Sequence, residues 1–288
     1  GLAGGAAITV NTKSGTNQLH GAVFAYHSNS SLRARNYFFN GKNPKNIFNI
    51  PGFVIGGPIV KNKLFFFGGW EGTRQRNNVS NFYTVPNAEM RAGDFSSFSS
   101  LIYDPLTGDT AGRGRTAFAG NIVPMSRQSE IARKMQSRVP MPNESGLNSN
   151  YFGSDSQSLD RNNYDLKINW VRNPKHTIWG KYGAMKAMVK CSFGLGEAGG
   201  GGLCNGGGSG VGDTLVQIAT VGTTYIVSPT FLIDQTFGYS RLWQEVYAPD
   251  YGKNVGLDLG IPGTNGPDIR QSGIPSFNIS GLSAWGNT

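Results

Sequence analysis

The sequence predicts an all-β fold of antiparallel strands, and three observations support this: the composition, the alternation of polar and apolar residues, and the order of the connections. The chain has 288 residues with 42 Gly and 14 Pro, 11% aromatic residues and only 15% charged residues. This mixture favours strands and turns over a helical bundle. The aromatic content also argues against wholesale disorder, so the chain is expected to fold.

Seven segments are predicted as strands. In chain order they are 21–28, 53–60, 64–73 (continuing through 81–85), 163–171, 176–189, 215–227 and 231–243. The fourth alternates most clearly, with Leu166, Ile168 and Trp170 on one side and polar residues on the other. The seventh alternates less regularly, because Leu232 and Leu242 interrupt its pattern.

The connections between these strands alternate strictly between short and long. The short ones, 61–62, 173–175 and 228–230, contain residues that suit tight turns. The long ones are 29–52, 86–160, 190–213 and everything after 246. Outer-membrane barrels have short turns at one end and long extracellular loops at the other, and a tilted membrane strand needs about 9–11 residues.

We therefore predict an antiparallel transmembrane β-barrel portion with long extracellular loops and one short helix in a loop. Its apolar face would contact lipid and its polar face would line a watery lumen. Aromatic residues near strand ends suit an interfacial girdle; they are Trp70, Trp170, Trp179, Trp243, Tyr182 and Tyr225. A soluble antiparallel sheet with one covered face explains the alternation equally well, but it does not explain the loop order.

The predicted helix lies at 126–138 within the long insertion 86–160. Ser126 or Ser129 would cap it, and Ile131, Met135 and Ala132 would form its inner stripe. The insertion is interpreted either as part of a lid over the barrel mouth or as a self-packed surface insertion. Exposed loop aromatics could stack on a ligand or pack loop against loop; they are Tyr37, Phe38, Phe39, Tyr247, Tyr251 and Trp285.

An ordered series of segments resembles the TonB-dependent outer-membrane transporters, specifically the Oar-like group. The segments are AITVNTKSGTNQLHG (7–21), ARNYF (34–38), GGPIVKNKLFFF (56–67), WEGTR (70–74), VP (85–86), RAGDF (91–95), IYDPLTG (102–108), GNIVP (120–124) and PMPN (140–143). The resemblance implies the end of a plug domain at 1–20, the first barrel strands at 21–246 and an extracellular loop region at 247–288.

Full members of the group carry a plug and a barrel of about 22 strands, so we expect this chain to be a fragment. An open seven-strand sheet would leave unpaired edges in lipid, which is costly. The resemblance implies an active importer of a bulky nutrient in the outer membrane of a Gram-negative bacterium. Its partners would be outer-membrane lipid, an unknown nutrient and the TonB complex, which it would engage through parts of the parent chain not present here. The alternative is a surface structural, adhesive or carbohydrate-binding β protein without transport.

Two cysteines are too few for a disulfide framework or a zinc site. Cys191 and Cys204 bracket a glycine-rich segment that is predicted to be flexible and external. Oxidising conditions there favour a disulfide, which would contribute roughly 3 kcal/mol in the chain-entropy model. Two free thiols or a metal site lacking its other ligands are the alternatives.

No enzymatic, cofactor or metal site is predicted. Gly194, Gly196 and Gly199 have dinucleotide-fingerprint spacing but lack its strand–helix context. The three histidines, His20, His27 and His176, have no metal-ligand spacing.

The acidic loop residues Asp94, Asp104 and Asp109 could form an acidic pair, but 104–108 is more typical of a turn.

The net charge of +9 is scattered rather than clustered, so no nucleic-acid partner is expected. The ligand-binding residues stay unknown at this point.

Overall fold

A computed structural model describes residues 12–34, 44–200 and 210–287. Its seven strands form one sheet in the order β1-β2-β3-β4-β5-β6-β7. They are β1 (His20–Asn29), β2 (Asn46–Val60), β3 (Leu64–Tyr83), β4 (Tyr151–Asn173), β5 (His176–Cys191), β6 (Gly210–Ser228) and β7 (Phe231–Tyr247). Each strand neighbours the next along the chain, which gives the simplest up-and-down meander. All seven predicted strands are confirmed.

Most strands are longer than the polarity pattern predicted. β3 has 20 residues and β4 has 23, whereas a membrane crossing needs about 9–11. The last ten residues of the predicted insertion, 151–160, therefore already belong to β4. The extra length escaped the pattern because its side chains are polar on both faces, as in the pair between Arg76 and Asp160.

The order of connections is as predicted, and it follows from turn chemistry. The β2–β3 turn is closed by the Lys63 N–H, which donates to the Val60 carbonyl at 3.1 Å, and Asn62 adopts a left-handed φ of 63°. Asparagine tolerates this conformation better than most residues. The turns between β4 and β5 and between β6 and β7 are one residue shorter still. In a meander this places every short turn at one end of the sheet and every long loop at the other.

One face of the sheet exposes large apolar side chains. Val23 is 88% exposed and Phe237 71% exposed, and Leu166, Ile168 and Val221 are each at least 40% exposed. In water such a continuous apolar surface would be unfavourable. In β4 the neighbours of these apolar residues along the strand, Asp165, Lys167 and Asn169, are polar and lie on the opposite face, so this strand has the inverted polarity expected of strands that contact lipid. None of the described helices is long and apolar enough to cross a membrane.

The chain divides into two compact units. The strand unit contains Gly1–Arg76, Ser158–Val189 and Gly212–Glu245, and the loop unit contains Asn77–Gln157, Lys190–Val211 and Val246–Thr288. The loop unit has its own hydrophobic core, although it consists largely of connections. The core residues are Tyr83, Val85, Met135, Val139, Leu195, Ala198, Val255, Leu259, Ile274 and Trp285.

The described residues of the loop unit form three short α-helices: α1 (Ala88–Ala92), α2 (Glu130–Arg138) and α3 (Val255–Asp258). The predicted helix is α2, but it starts at Glu130 because the Ser129 side chain caps it by accepting the Ala132 N–H. Met135 is buried as predicted, whereas Ala132 is exposed and does not belong to the inner stripe. The sequence missed α1 and α3, which are too short for helical periodicity to register.

Buried polar groups fix the loops of this unit. Arg91, the basic residue in the last turn of α1, donates hydrogen bonds to the carbonyls of Pro86, Gln136, Val139 and Pro140 at 2.6–3.1 Å. Burial lowers the pKa of the Arg91 guanidinium from its usual value, yet such a group stays charged at neutral pH. A charged donor therefore binds the carbonyls at the end of α2 and just beyond it, including that of Gln136, which also accepts the Val139 N–H at 3.1 Å.

Candidate functional site: the polar wall of the strand unit

The face opposite the lipid-facing residues carries a group of polar and charged side chains that we call the polar wall. It consists of Glu71, Arg161, Asn163, Asp165, Lys167 and Lys181. In β4 the wall residues alternate with the exposed apolar ones, because successive side chains of a strand point to opposite faces. The wall holds three cationic and two anionic side chains, so it has a small positive surplus.

Ion pairs link neighbouring strands across the wall. Arg161 Nη2 lies 3.7 Å from Glu71 Oε1, and Lys181 Nζ lies 3.3 Å from Asp165 Oδ1. Asn163 Nδ2 also donates to Glu71 Oε1 at 3.5 Å. All of these side chains are half-exposed, so each pair contributes little to stability. Their effect is a hydrated charged surface, which suits a water-filled passage.

A column of contacts crosses three strands of the wall. Lys167 Nζ on β4 lies 5.6 Å from the centre of the Trp179 ring on β5, within the range of a cation–π interaction. Gly222 on β6 leaves room for this ring, since a Cβ atom at Gly222 would lie 2.6 Å from Trp179 Nε1. The predicted place of Trp179 in the lipid-facing girdle is therefore wrong. Odd-numbered positions of this part of β5, including Lys181, face the wall.

Lys167, at one end of this column of contacts, also binds the segment that precedes β1. Lys167 Nζ donates hydrogen bonds to the carbonyl oxygen of Thr12 at 3.2 Å and to its hydroxyl at 3.0 Å. These two residues are 155 positions apart in sequence. No local signal in the sequence could have paired them, because Lys167 belongs to none of the resembling segments and the pairing depends on the complete topology.

The segment 12–19 is held at a second point, near the β2–β3 turn. Asn17 Nδ2 donates to Asn62 Oδ1 at 2.6 Å, and the Asn62 backbone N–H donates to Asn17 Oδ1 at 2.8 Å. Between the two points, Gly15 approaches the sheet closely, since a Cβ atom there would lie 2.6 Å from the Gly57 carbonyl oxygen. The segment is therefore fixed against the wall side of the sheet. Residues 1–11 of the predicted plug end, 1–20, lie outside the described residues.

A cavity of about 280 Å³ lies between this segment and the wall. Thr12, Lys13, Phe24, Glu71 and Asp165 are among its lining residues. Pockets for drug-sized ligands are usually about 300–1,000 Å³. The cavity is therefore too small to enclose a bulky nutrient, and we interpret it as space beside the segment rather than as a ligand site.

Most of the predicted girdle lies on the lipid-facing side. Trp170, Tyr182 and Tyr225 are each more than 40% exposed. The Trp70 ring lies 6.2 Å from that of the exposed Phe53. These side chains have the mixed apolar and polar character that favours the membrane interface.

The cysteine prediction stays a prediction. Cys191 is the last residue of β5 and is 5% exposed, and the described residues include no free cysteine. Cys204 lies outside the described residues. We expect the intact mass of the unreduced chain to rise by two hydrogens on reduction, with alkylation only afterwards. Two thiols that alkylate without reductant would contradict the disulfide.

The first part of the glycine-rich loop packs into the loop unit. Gly196–Ala198 forms a single 3₁₀ turn, and Leu195 and Ala198 are fully buried in the core of the loop unit. Gly199 pairs with Gly286 in a parallel bridge. The glycines predicted to be flexible, 200–202 and 206–208, lie outside the described residues except for Gly200, so the prediction of a flexible tract stays a prediction.

The described loop aromatics differ in their exposure, and Tyr251 is 43% exposed. Trp285 is 4% exposed in the core of the loop unit, so its interpretation as an exposed stacking residue is wrong. The rings of Tyr247 and Tyr251 lie 5.4 Å apart. The remaining three, Tyr37, Phe38 and Phe39, lie outside the described residues.

The acidic loop residues support local turns. Asp94 Oδ1 accepts the Ser96 N–H, Asp104 Oδ1 accepts the Leu106 N–H, and Asp109 Oδ1 accepts the Arg113 N–H. The hydrogen bonds from Ser96 lower the pKa of the Asp94 carboxyl. The turn predicted at 104–108 is confirmed by the Thr107 N–H donating to the Asp104 carbonyl at 3.2 Å.

The histidines are separate and each has ordinary neighbours. His27 Nδ1 lies 2.6 Å from Asn49 Oδ1, and His176 Nε2 lies 2.9 Å from Thr223 Oγ1. His20 is the first residue of β1. In the part of the chain that the structure describes, no three metal-ligating side chains come together.

A sheet with a lipid-facing apolar side, a charged opposite wall and long loops at one end defines a membrane protein that crosses the bilayer with strands. The family model of the outer membrane beta barrel domain matches residues 11–288. The chain belongs to this family and is located in the outer membrane.

One curated relative matches a smaller part of the chain. The TonB-dependent transporter Oar of Myxococcus xanthus is 35% identical over 77 residues, which are 24% of this chain and 7% of the relative. The match therefore spans only a small part of that transporter. No solved structure matches the chain.

Proposed function

We propose that the chain is part of a TonB-dependent outer-membrane active transporter that imports a bulky nutrient. The observation that carries the proposal is the contact between Lys167 and Thr12. It fixes the segment before β1 against the charged wall, as expected of the entry from a plug into a barrel. The partial similarity to a transporter named as TonB-dependent supports the same function.

In this proposal the parts have separate roles. The polar wall lines the hydrated passage, and the segment 12–19 is the end of the plug. Ligand binds to the long loops and to plug residues, without catalysis or a cofactor. The TonB complex acts through a region beyond this chain, and the apolar face contacts lipid.

The proposal is tested by deleting the gene that encodes the chain and measuring uptake of labelled siderophore, saccharide, peptide and cobalamin. We expect uptake of one nutrient class to be lost and to be restored by the wild-type gene. A gene that carries Lys167→Gln should restore less of this uptake, because a neutral amide cannot provide the charged donor that holds Thr12. Lys175→Gln, in the exposed β4–β5 turn, is the matched control.

Two outcomes would count against the proposal. Unchanged uptake of every nutrient after deletion would leave a surface structural or adhesive protein as the better interpretation. Equal restoration by the Lys167→Gln and wild-type genes would remove the role assigned to the wall contact. Surface labelling of each variant shows whether it reaches the outer membrane in equal amount.

A further inference from the structure

Two arginines lie on the lipid-facing side of β3, just beyond the apolar residues at the long-loop end. Trp70 contacts the exposed Phe53, and Arg74 and Arg76 follow at alternate positions of the same strand. Asn162 Oδ1 accepts from Trp70 Nε1 at 3.3 Å and from Arg74 Nη2 at 2.7 Å. These shared contacts place the arginines on the outward face, next to the aromatic girdle.

The position of Arg74 corresponds to the depth of lipid headgroups. A tryptophan of the girdle marks the membrane interface. Arg74 is four residues beyond Trp70, which corresponds to about 13 Å along the strand. At a strand tilt of about 40° this is about 10 Å along the membrane normal. The interfacial layer on each side is roughly 5–8 Å thick, and an arginine side chain can extend several ångströms toward it.

The arginine pair has more positive charge than its neighbours neutralise. Asp160 is the acidic partner of both side chains among the described residues. Arg76 binds it through two hydrogen bonds of 2.9 and 3.0 Å. Arg74 Nε lies 3.8 Å from it, too far for a hydrogen bond. Two guanidinium groups thus share one carboxylate, and all three side chains are roughly 40% exposed.

Arg74 also keeps donors for another acceptor. Its hydrogen bonds go to the carbonyls of Thr73 and Arg161 at 2.9 and 2.8 Å and to Asn162. A guanidinium has five N–H donors, so two of them, including Nε–H, have no acceptor within the described part of the chain. Since the Arg74 side chain is 36% exposed on the outward face, these donors are available to an acceptor from outside the chain.

We propose that the Arg74–Arg76 pair binds the phosphate group of a lipid headgroup at the long-loop end. A phosphate supplies the missing negative charge and accepts two parallel N–H bonds from one guanidinium. The nearby Lys186 provides a contrast, because it is paired one-to-one with Asp213 while lying over the Trp243 ring. Lys186 therefore has no positive charge left without an acidic partner, and it is not part of the site.

The test measures lipid retention by the whole chain in phosphatidylcholine nanodiscs that contain a small fraction of phosphatidate. Native mass spectrometry counts phosphatidate bound per chain for wild type and for Arg74→Gln/Arg76→Gln. We expect retention to fall about tenfold, as on loss of a charge-assisted hydrogen bond. Asp160→Asn should raise retention, because it frees Arg76 from its carboxylate.

The matched control is Arg133→Gln/Lys134→Gln, which removes the same charge from exposed positions of α2. It should retain phosphatidate like wild type. The proposal is overturned if the control loses as much lipid as the test variant, or if Asp160→Asn and the double glutamine variant both leave retention unchanged. Inorganic phosphate is added in a further arm, and its complete displacement of phosphatidate would show that a free anion, not a lipid, is the ligand.

Discussion

Replacing Val221 by Arg should prevent most molecules from inserting stably into a membrane. Val221 is 48% exposed on the lipid-facing side of β6 and is seven residues from the short-turn end. That is about 23 Å of strand, near the middle of a tilted crossing. An arginine at the bilayer midplane of a strand protein costs about 2–4 kcal/mol. Urea unfolding in lipid vesicles measures the change in the free energy of unfolding.

Thr220→Arg is the matched control, because it introduces the same side chain one position away on the opposite face. The face follows from Gly222, which lies under Trp179 on the wall side. An arginine among the wall charges is hydrated. We therefore expect Thr220→Arg to lower the free energy of unfolding by much less than Val221→Arg does. Equal destabilisation by both variants would contradict the assigned faces of the sheet.

Trp285→Ala should unfold much of the loop unit while leaving the strands formed. Trp285 is 4% exposed in the core, and its backbone pairs with Phe277 through hydrogen bonds of 2.9 and 3.0 Å. Truncating a buried tryptophan typically costs about 3–5 kcal/mol. Hydrogen exchange should therefore accelerate at the amides of Leu259 and Val139 but not at those of the strand unit.

Trp285→Phe separates loss of packing from loss of a hydrogen bond. Trp285 Nε1 has no hydrogen-bond partner among the described residues, so phenylalanine removes ring volume without orphaning an acceptor. We expect a clearly smaller acceleration of exchange than for alanine. Unchanged exchange in the alanine variant would show that the loop unit does not depend on this core.

Alternation and turn chemistry predicted the strands because both are local. Leu166, Ile168 and Trp170 show their common face within one segment, and the short turns are marked by asparagine and proline. The ends of the strands were missed where contact with the hydrocarbon layer stops, since Arg76 and Asp160 have no apolar alternation around them. Local pattern therefore predicted the membrane part of the sheet better than its extensions.

The loop unit and the wall contact could not be predicted for a different reason. Leu195, Val255 and Trp285 meet Met135 in one core, yet they come from connections with no periodicity. The contact of Lys167 with Thr12 likewise joins residues 155 positions apart. Such pairings depend on the complete topology, which a single sequence does not reveal.

Because several loops share one core, a change in the length of one loop constrains the others. The segments around Val85, Met135, Leu195 and Trp285 each supply side chains to one interior, so a change in the length of one segment disturbs the packing of the others. By contrast, 96–118 supplies no residue to that core and is closed by its own turns. An insertion within 96–118 would therefore leave the packing of this core unchanged, whereas a change of length in the other segments requires compensating changes in their partners.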